Sequence, residues 1–322
     1  MEIKPKFEPD YFWKNFRLGS ELQISGSFIY NALFTLENME TFHYEEECFE
    51  FLYNMSIGIE RLEKVAIILL EHDGSISQEF FEKSLITHHH VDLINRIGKK
   101  RELSLGKQHI KFLDILTNFY NTTRYDRFNF ASVYRPPQDQ KRLIAFISEE
   151  LQIEIQTGLP FSTGVSDRIK KFIGKVVGKI ASRLFEIVEA EARRLGTFTY
   201  EMPYQSKAFK VFRLKEYDFS TEKLMQREAM LYVLKNLRND ELKKFIDKLE
   251  PLPFSHLHSN VYLKSIMSFH GDRSVRNEME YIYEEHKINP KRIADVMLLG
   301  TSTNFDEIKE LDELFGPIDH DA

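Results

Sequence analysis

The sequence predicts a mainly α protein. A helical bundle is expected over residues 20–200 and a second, mostly helical region over residues 215–322, with a short β-hairpin near residues 197–214. Apolar residues recur at the three-and-four spacing of a helix face through most of the 322 residues. Hydrophobic residues make up 42% and charged ones 29%, so the chain can bury a core. With 27 Phe against one Trp and a single cysteine, Cys48, that core holds without an intramolecular disulfide.

The elements follow in order. A first helix is expected over residues 22–37. Over residues 51–71, Phe51, Leu52, Met55, Ile59, Leu62, Ala66 and Leu69 share one helical face. His72-Asp73-Gly74-Ser75 stops it. Thr87 stands at the cap position of a helix closed by Gly98. A helix over residues 106–122 leads into the segment around Arg124, and Tyr134-Arg135-Pro136-Pro137 is a break. Helices over residues 139–156 and 166–195 flank Thr157-Gly158-Leu159-Pro160. Thr197-Phe198-Thr199-Tyr200 and Phe209-Lys210-Val211-Phe212 are the β-prone stretches behind the hairpin, and the domain boundary is placed near them. Residues 222–249 read as a charged amphipathic helix ended by Pro251 and Pro253. Short helices are expected over residues 260–269, 274–285, 290–299 and 304–315.

Within residues 166–195, Lys171, Lys175, Lys179 and Arg183 recur every four residues as one basic stripe. Gly174, Gly178 and Ser182 form a second stripe beside it. A glycine inside a helix costs about 1 kcal/mol relative to alanine, so something should exploit the close approach. A neighbouring helix is the expected occupant, and a phosphate backbone on the basic stripe is the alternative.

The net charge is −6, and residues 301–322, with seven acids against Lys309, account for all of it. The rest is balanced, which argues against a globally steered polyanion binder but leaves room for a local anion site. No charged segment followed by an apolar one opens the chain. The longest strongly apolar run, residues 65–70, is far short of the roughly 20 residues that span a bilayer. A cytoplasmic protein with no membrane contact is expected.

Three segments carry the functional reading: Ile59-Glu60-Arg61-Leu62-Glu63-Lys64, then Thr87-His88-His89-His90-Val91-Asp92-Leu93, then Tyr120-Asn121-Thr122-Thr123-Arg124-Tyr125. In this order they resemble the HEPN family, small helical bundles shared by bacterial toxin–antitoxin, abortive-infection and CRISPR-associated proteins. The resemblance covers about residues 20–130 and extends toward residue 200. It implies a bundle, often dimeric, whose helices pair around a polar cleft. Many members are metal-independent ribonucleases carrying an Arg and a His with four to six residues between them. No His in this chain is so placed, and Arg124 is followed by Tyr125-Asp126-Arg127-Phe128-Asn129-Phe130-Ala131.

The resemblance therefore implies a non-catalytic or diverged member that binds RNA or a nucleotide in bacterial stress or phage defence. Arg124, Arg127, Lys171, Lys175, Lys179 and Arg183 would make the anion contacts. One alternative is a diverged ribonuclease in which Arg124 holds the phosphate and His88 or His90 is the acid or base. Another is an interaction module, a homodimer or the partner of a second protein. Arg124 and Arg127 are equally readable as interhelical salt bridges to Glu60 or Glu63. The histidines are also readable as one packed residue and two facing water.

No metal site is expected, because three consecutive helical histidines diverge and His256 and His258 lack further ligands nearby. No cofactor loop is present: neither a Walker-type glycine loop, nor Gly-x-Gly-x-x-Gly, nor Gly-x-Ser-x-Gly. No exposed aromatic interleaving is read from the sequence, which weakens a single-strand reader.

Overall fold

The computed structural model describes residues 8–299, except residues 76, 136, 159, 237–239, 256, 269, 270, 287, 289 and 298. The protein is mainly α. Among the described residues there is no sheet, and strand-like pairing is limited to an isolated antiparallel bridge between Thr41 and Gly164. The chain divides into two compact units, Met1–Phe219 and Ser220–Ala322.

In the first unit, α1 (Pro9–Phe12) and a π-helical turn (Trp13–Arg17) run into α2 (Leu18–Asn38). Then come α3 (Glu45–Glu71), α4 (Gln78–Ser84), α5 (His90–Gly98) and α6 (Lys107–Asn121). Two 3-10 turns, Thr123–Phe128 and Phe130–Ser132, lead to α7 (Gln138–Leu151). The unit closes with α8 (Asp167–Leu195), α9 (Lys207–Phe209) and a second π-helical turn, Lys210–Leu214.

The central helix is α3, which packs on α2, α5, α6, α7 and α8. The seven apolar residues that define its face, Phe51 to Leu69, are all buried. Glu45, Glu46 and Glu47 sit in its first turn, where the helix dipole favours negative charge. It meets α2 at close range: a Cβ on Gly58 would lie 2.7 Å from Cγ1 of Ile29. The Ser25 hydroxyl donates to the Gly58 carbonyl across that contact at 2.7 Å. The connections before α3 and α8 are tied by Val165 N–H to Glu40 C=O at 2.9 Å.

The hairpin expected over residues 197–214 is absent. Thr197 and Thr199 turn back instead, their hydroxyls 3.0 Å apart, and Thr199 donates to the carbonyl of Lys14 at 2.7 Å. Residues Lys207–Leu214 are helical, and Ala208, Val211 and Phe212, at helical spacing, are buried. The Phe212 ring stacks on Phe185 at 5.1 Å. Strand propensity measures fit to a pleated, half-buried surface, and no partner strand is offered here. The bundle thus runs past residue 200 as far as Phe219, whose ring meets Tyr30 and Phe34 at 5.2 and 5.4 Å.

The close approach at Gly174 and Gly178 is real, but no helix makes it. A Cβ on Gly174 would lie 2.6 Å from the carbonyl oxygen of Tyr217, and one on Gly178 would lie 2.5 Å from its ring. The Tyr217 hydroxyl ends 2.8 Å from that of Ser182. The small-residue stripe is a trough for one tyrosine.

The second unit contains α10 (Ser220–Asn236), α11 (Asp240–Ile246), α12 (Ser259–Met267), α13 (Arg273–His286) and α14 (Pro290–Met297). Of the helix expected over residues 222–249, α10 and α11 are described, and residues 237–239 between them lie outside the described residues. Glu278 is the buried polar tie, accepting from Tyr262 Oη at 2.7 Å and Ser255 N–H at 3.0 Å. The helix expected over residues 304–315, the acidic tail and His256 lie outside the described residues. No helix among the described residues is long and apolar enough to cross a membrane.

Candidate functional site

The helix expected from Thr87 begins at His90. Thr87 does not cap it; its Oγ1 accepts from His89 N–H at 3.2 Å, forming a local turn. His88 and His89 therefore stand on extended chain before the helix. The extended backbone at His89 turns alternate side chains the same way. His88 and His90 consequently reach successive carboxylates of α3: His88 Nδ1 lies 2.8 Å from Glu60 Oε2, and His90 Nδ1 lies 2.9 Å from Glu63 Oε2.

The two pairs differ in one decisive respect, solvent. His90 and Glu63 are wholly buried, and His90 N–H donates to Thr117 Oγ1 at 3.0 Å. Burial pushes the Glu63 carboxyl up, against the opposing pull of His90. The structure places the His90 side chain wholly in the core, out of reach of solvent, so the expected role of His90 as an acid or base is not carried into the proposal below. His88 is different, with its side chain 40% exposed. If its Nδ1–H is given to Glu60, the neutral ring keeps Nε2 as an acceptor. Glu60 is also held by Lys64 Nζ at 2.6 Å.

Tyr120 joins His88 to Arg124. The chain leaves α6 at Thr122, and the 3-10 turn that follows brings Arg124 back over the last helical turn. The Arg124 Cζ lies 3.7 Å from the centroid of the Tyr120 ring and 4.5 Å from that of Tyr125. The His88 ring centroid is 4.2 Å from the same Tyr120 ring. Among the described residues Arg124 makes no ion pair, and its buried Nε has no hydrogen-bond partner. The salt bridge considered between Arg124 and Glu60 or Glu63 does not form, because Lys64, His88 and His90 occupy those carboxylates.

Tyr120 also lines an open cleft of about 630 Å³ beside α3, together with Tyr53, Ile57, Glu60, Arg61 and Lys64. Arg61 pairs with Glu21 and Lys64 with Glu60, so the two cations that line the cleft are both paired, while Arg124 lies over Tyr120 and is not itself a lining residue.

The other expected anion contacts lie elsewhere. Arg127 forks onto the buried Asp139, with Nη1 at 2.7 Å and Nη2 at 3.3 Å, and also pairs with Glu45. Its charge is committed to the start of α7. Lys171 and Lys175 are exposed, whereas Arg183 is bound to Glu186 at 2.8 Å. Lys179 faces His109, whose imidazole is pulled down chiefly by burial and in part by that lysine. None of these four stripe residues lines the cleft.

One feature escaped the sequence reading. Tyr125, Phe128, Phe130 and Tyr134 are exposed on the connection between α6 and α7. The signal was their interleaving with Arg124, Arg127 and Arg135 where no helical period holds. No family model, curated protein or solved structure matches this chain.

Proposed function

We propose that the first unit is a HEPN-like protein that binds RNA or a nucleotide at Arg124, in a bacterial stress or phage-defence setting. Support comes above all from one observation: Arg124 Cζ sits 3.7 Å from the centroid of the Tyr120 ring with no carboxylate partner among the described residues. With Nε buried, it is the two terminal Nη groups of a guanidinium placed over the ring that would fork onto a phosphate. The neighbouring ring and the cleft give a base or sugar somewhere to lie. Fluorescence anisotropy with labelled RNA and with a labelled nucleotide tests this. Binding should weaken as salt rises, through counterion release, and fall in Arg124→Ala. Salt-insensitive binding, or binding unchanged in that variant, would overturn it.

A second reading, a diverged metal-independent ribonuclease, is favoured by the Glu60–His88 pair beside Arg124. His88 Nε2 would take the proton of an RNA 2′-hydroxyl as its oxygen attacks the adjacent phosphorus. The 5′-oxygen would leave with a proton returned from imidazolium, while Arg124 steadies the phosphoryl oxygens. Cleavage in EDTA that disappears in both His88→Ala and Arg124→Ala would establish this second reading. Binding without such cleavage leaves the first.

A further inference from the structure

The connection between α6 and α7 displays its aromatic residues instead of burying them. Phe119, at the end of α6, is 1% exposed, whereas Phe128, Phe130 and Tyr134 are 87%, 90% and 98% exposed. None of these three rings packs on another ring among the described residues. The segment nevertheless has defined hydrogen bonding. Asn129 Oδ1 accepts from Ala131 N–H at 3.0 Å, Asn129 N–H donates to Asp126 C=O at 3.0 Å, and Val133 N–H donates to Phe130 C=O at 3.3 Å. The fork of Arg127 onto Asp139 anchors it to α7. Large apolar groups held out in water on a fixed segment mark an interaction surface.

The charge around the rings indicates what lies on them. Arg124 flanks the segment on one side and the exposed Arg135 on the other, and neither has a carboxylate partner among the described residues. An apolar peptide would leave those guanidinia without a purpose. A chain of bases on a phosphate backbone matches both elements, because every base has a face for stacking and every linkage an anion. We propose that a single-stranded polynucleotide lies across residues 124–135, its bases stacking on Phe128, Phe130 and Tyr134 and its phosphates meeting Arg124 and Arg135. This rests on the nucleotide-binding reading of Arg124 and extends it from one nucleotide to a strand. Duplex is excluded as the ligand, since its bases offer no free faces.

The test compares a labelled 12-nucleotide RNA, the same-length DNA and a labelled mononucleotide by anisotropy, using the full chain. Variants are Phe128→Ala/Phe130→Ala/Tyr134→Ala together, and Arg124→Ala alone. Because the three rings are exposed, the triple variant should keep the wild-type circular dichroism and melting temperature. Stacking predicts roughly tenfold or greater loss of oligonucleotide affinity in the triple variant, with mononucleotide affinity unchanged. Arg124→Ala should weaken both ligands. Unchanged oligonucleotide binding in the triple variant, with Arg124→Ala still weakened, overturns the platform while the reading of Arg124 survives. No binding of any ligand by wild type overturns both. Sedimentation of the wild type supplies a further outcome: self-association abolished in the triple variant, with strand binding intact, would make the rings a protein interface and overturn the proposal.

Discussion

A Cβ on Gly178 would stand 2.5 Å from Cδ2 of Tyr217. The tyrosine fills the trough on α8, and burial pushes its phenol up to about 12 while Ser182 holds it at 2.8 Å. Helix propensity alone would make Gly178→Ala stabilising by about 1 kcal/mol. Overpacking against a buried ring costs about 1–3 kcal/mol, so the variant should be net destabilised in urea unfolding. In a Tyr217→Ala background, itself about 3 kcal/mol less stable, the same change should become stabilising. A gain in the wild-type background would refute this packing.

The buried Glu63–His90 pair gives the stability a pH dependence. Burial raises the Glu63 carboxyl above its ordinary 4.5, so the folded protein holds that proton more tightly than the unfolded chain. The stability it contributes is complete below pH 4.5 and is lost as pH rises through the folded value. Glu63→Gln keeps a polar group beside His90 without the ionisation. Melting temperatures measured upward from pH 4.5 should fall less steeply in Glu63→Gln than in wild type.

Arg124 and Arg127 should separate by stability. Removing Arg127 leaves the buried Asp139 without its cation, a loss of about 2 kcal/mol once the partial exposure of the arginine is allowed for. Removing Arg124 forfeits only stacking on Tyr120, about 1 kcal/mol. Chemical denaturation of Arg127→Ala and Arg124→Ala checks the contrast. A large loss in Arg124→Ala would mean that its binding defect reflects unfolding.

Cys48 should be inert in the folded protein. Burial, aided by the negative charge of Asp139, pushes its thiol up to about 12. At pH 8 a disulfide reagent should modify it only as fast as the bundle unfolds. Rapid stoichiometric reaction in native buffer would contradict its buried position.

Much of this protein was legible residue by residue. Helical spacing marked α8 nearly to both ends and α3 to its C-terminal end, because burial of one apolar face is a local periodic property, whereas α3 begins at Glu45, six residues before the expected Phe51. The proximity of α3, the His88 segment and Arg124 was expected only from the HEPN resemblance. Tertiary contacts decided the rest. Residues 197–214 look strand-prone one by one, yet with no strand to pair with, Ala208, Val211 and Phe212 bury as a helix. Gly174 and Gly178 announced a close neighbour but could not name Tyr217, some forty positions away. Three adjacent histidines are chemically alike in sequence. Only the fold drives His90 into the core against Glu63 and leaves His88 at the surface on Glu60, because an extended segment and a helix have different periods and meet at just those two carboxylates.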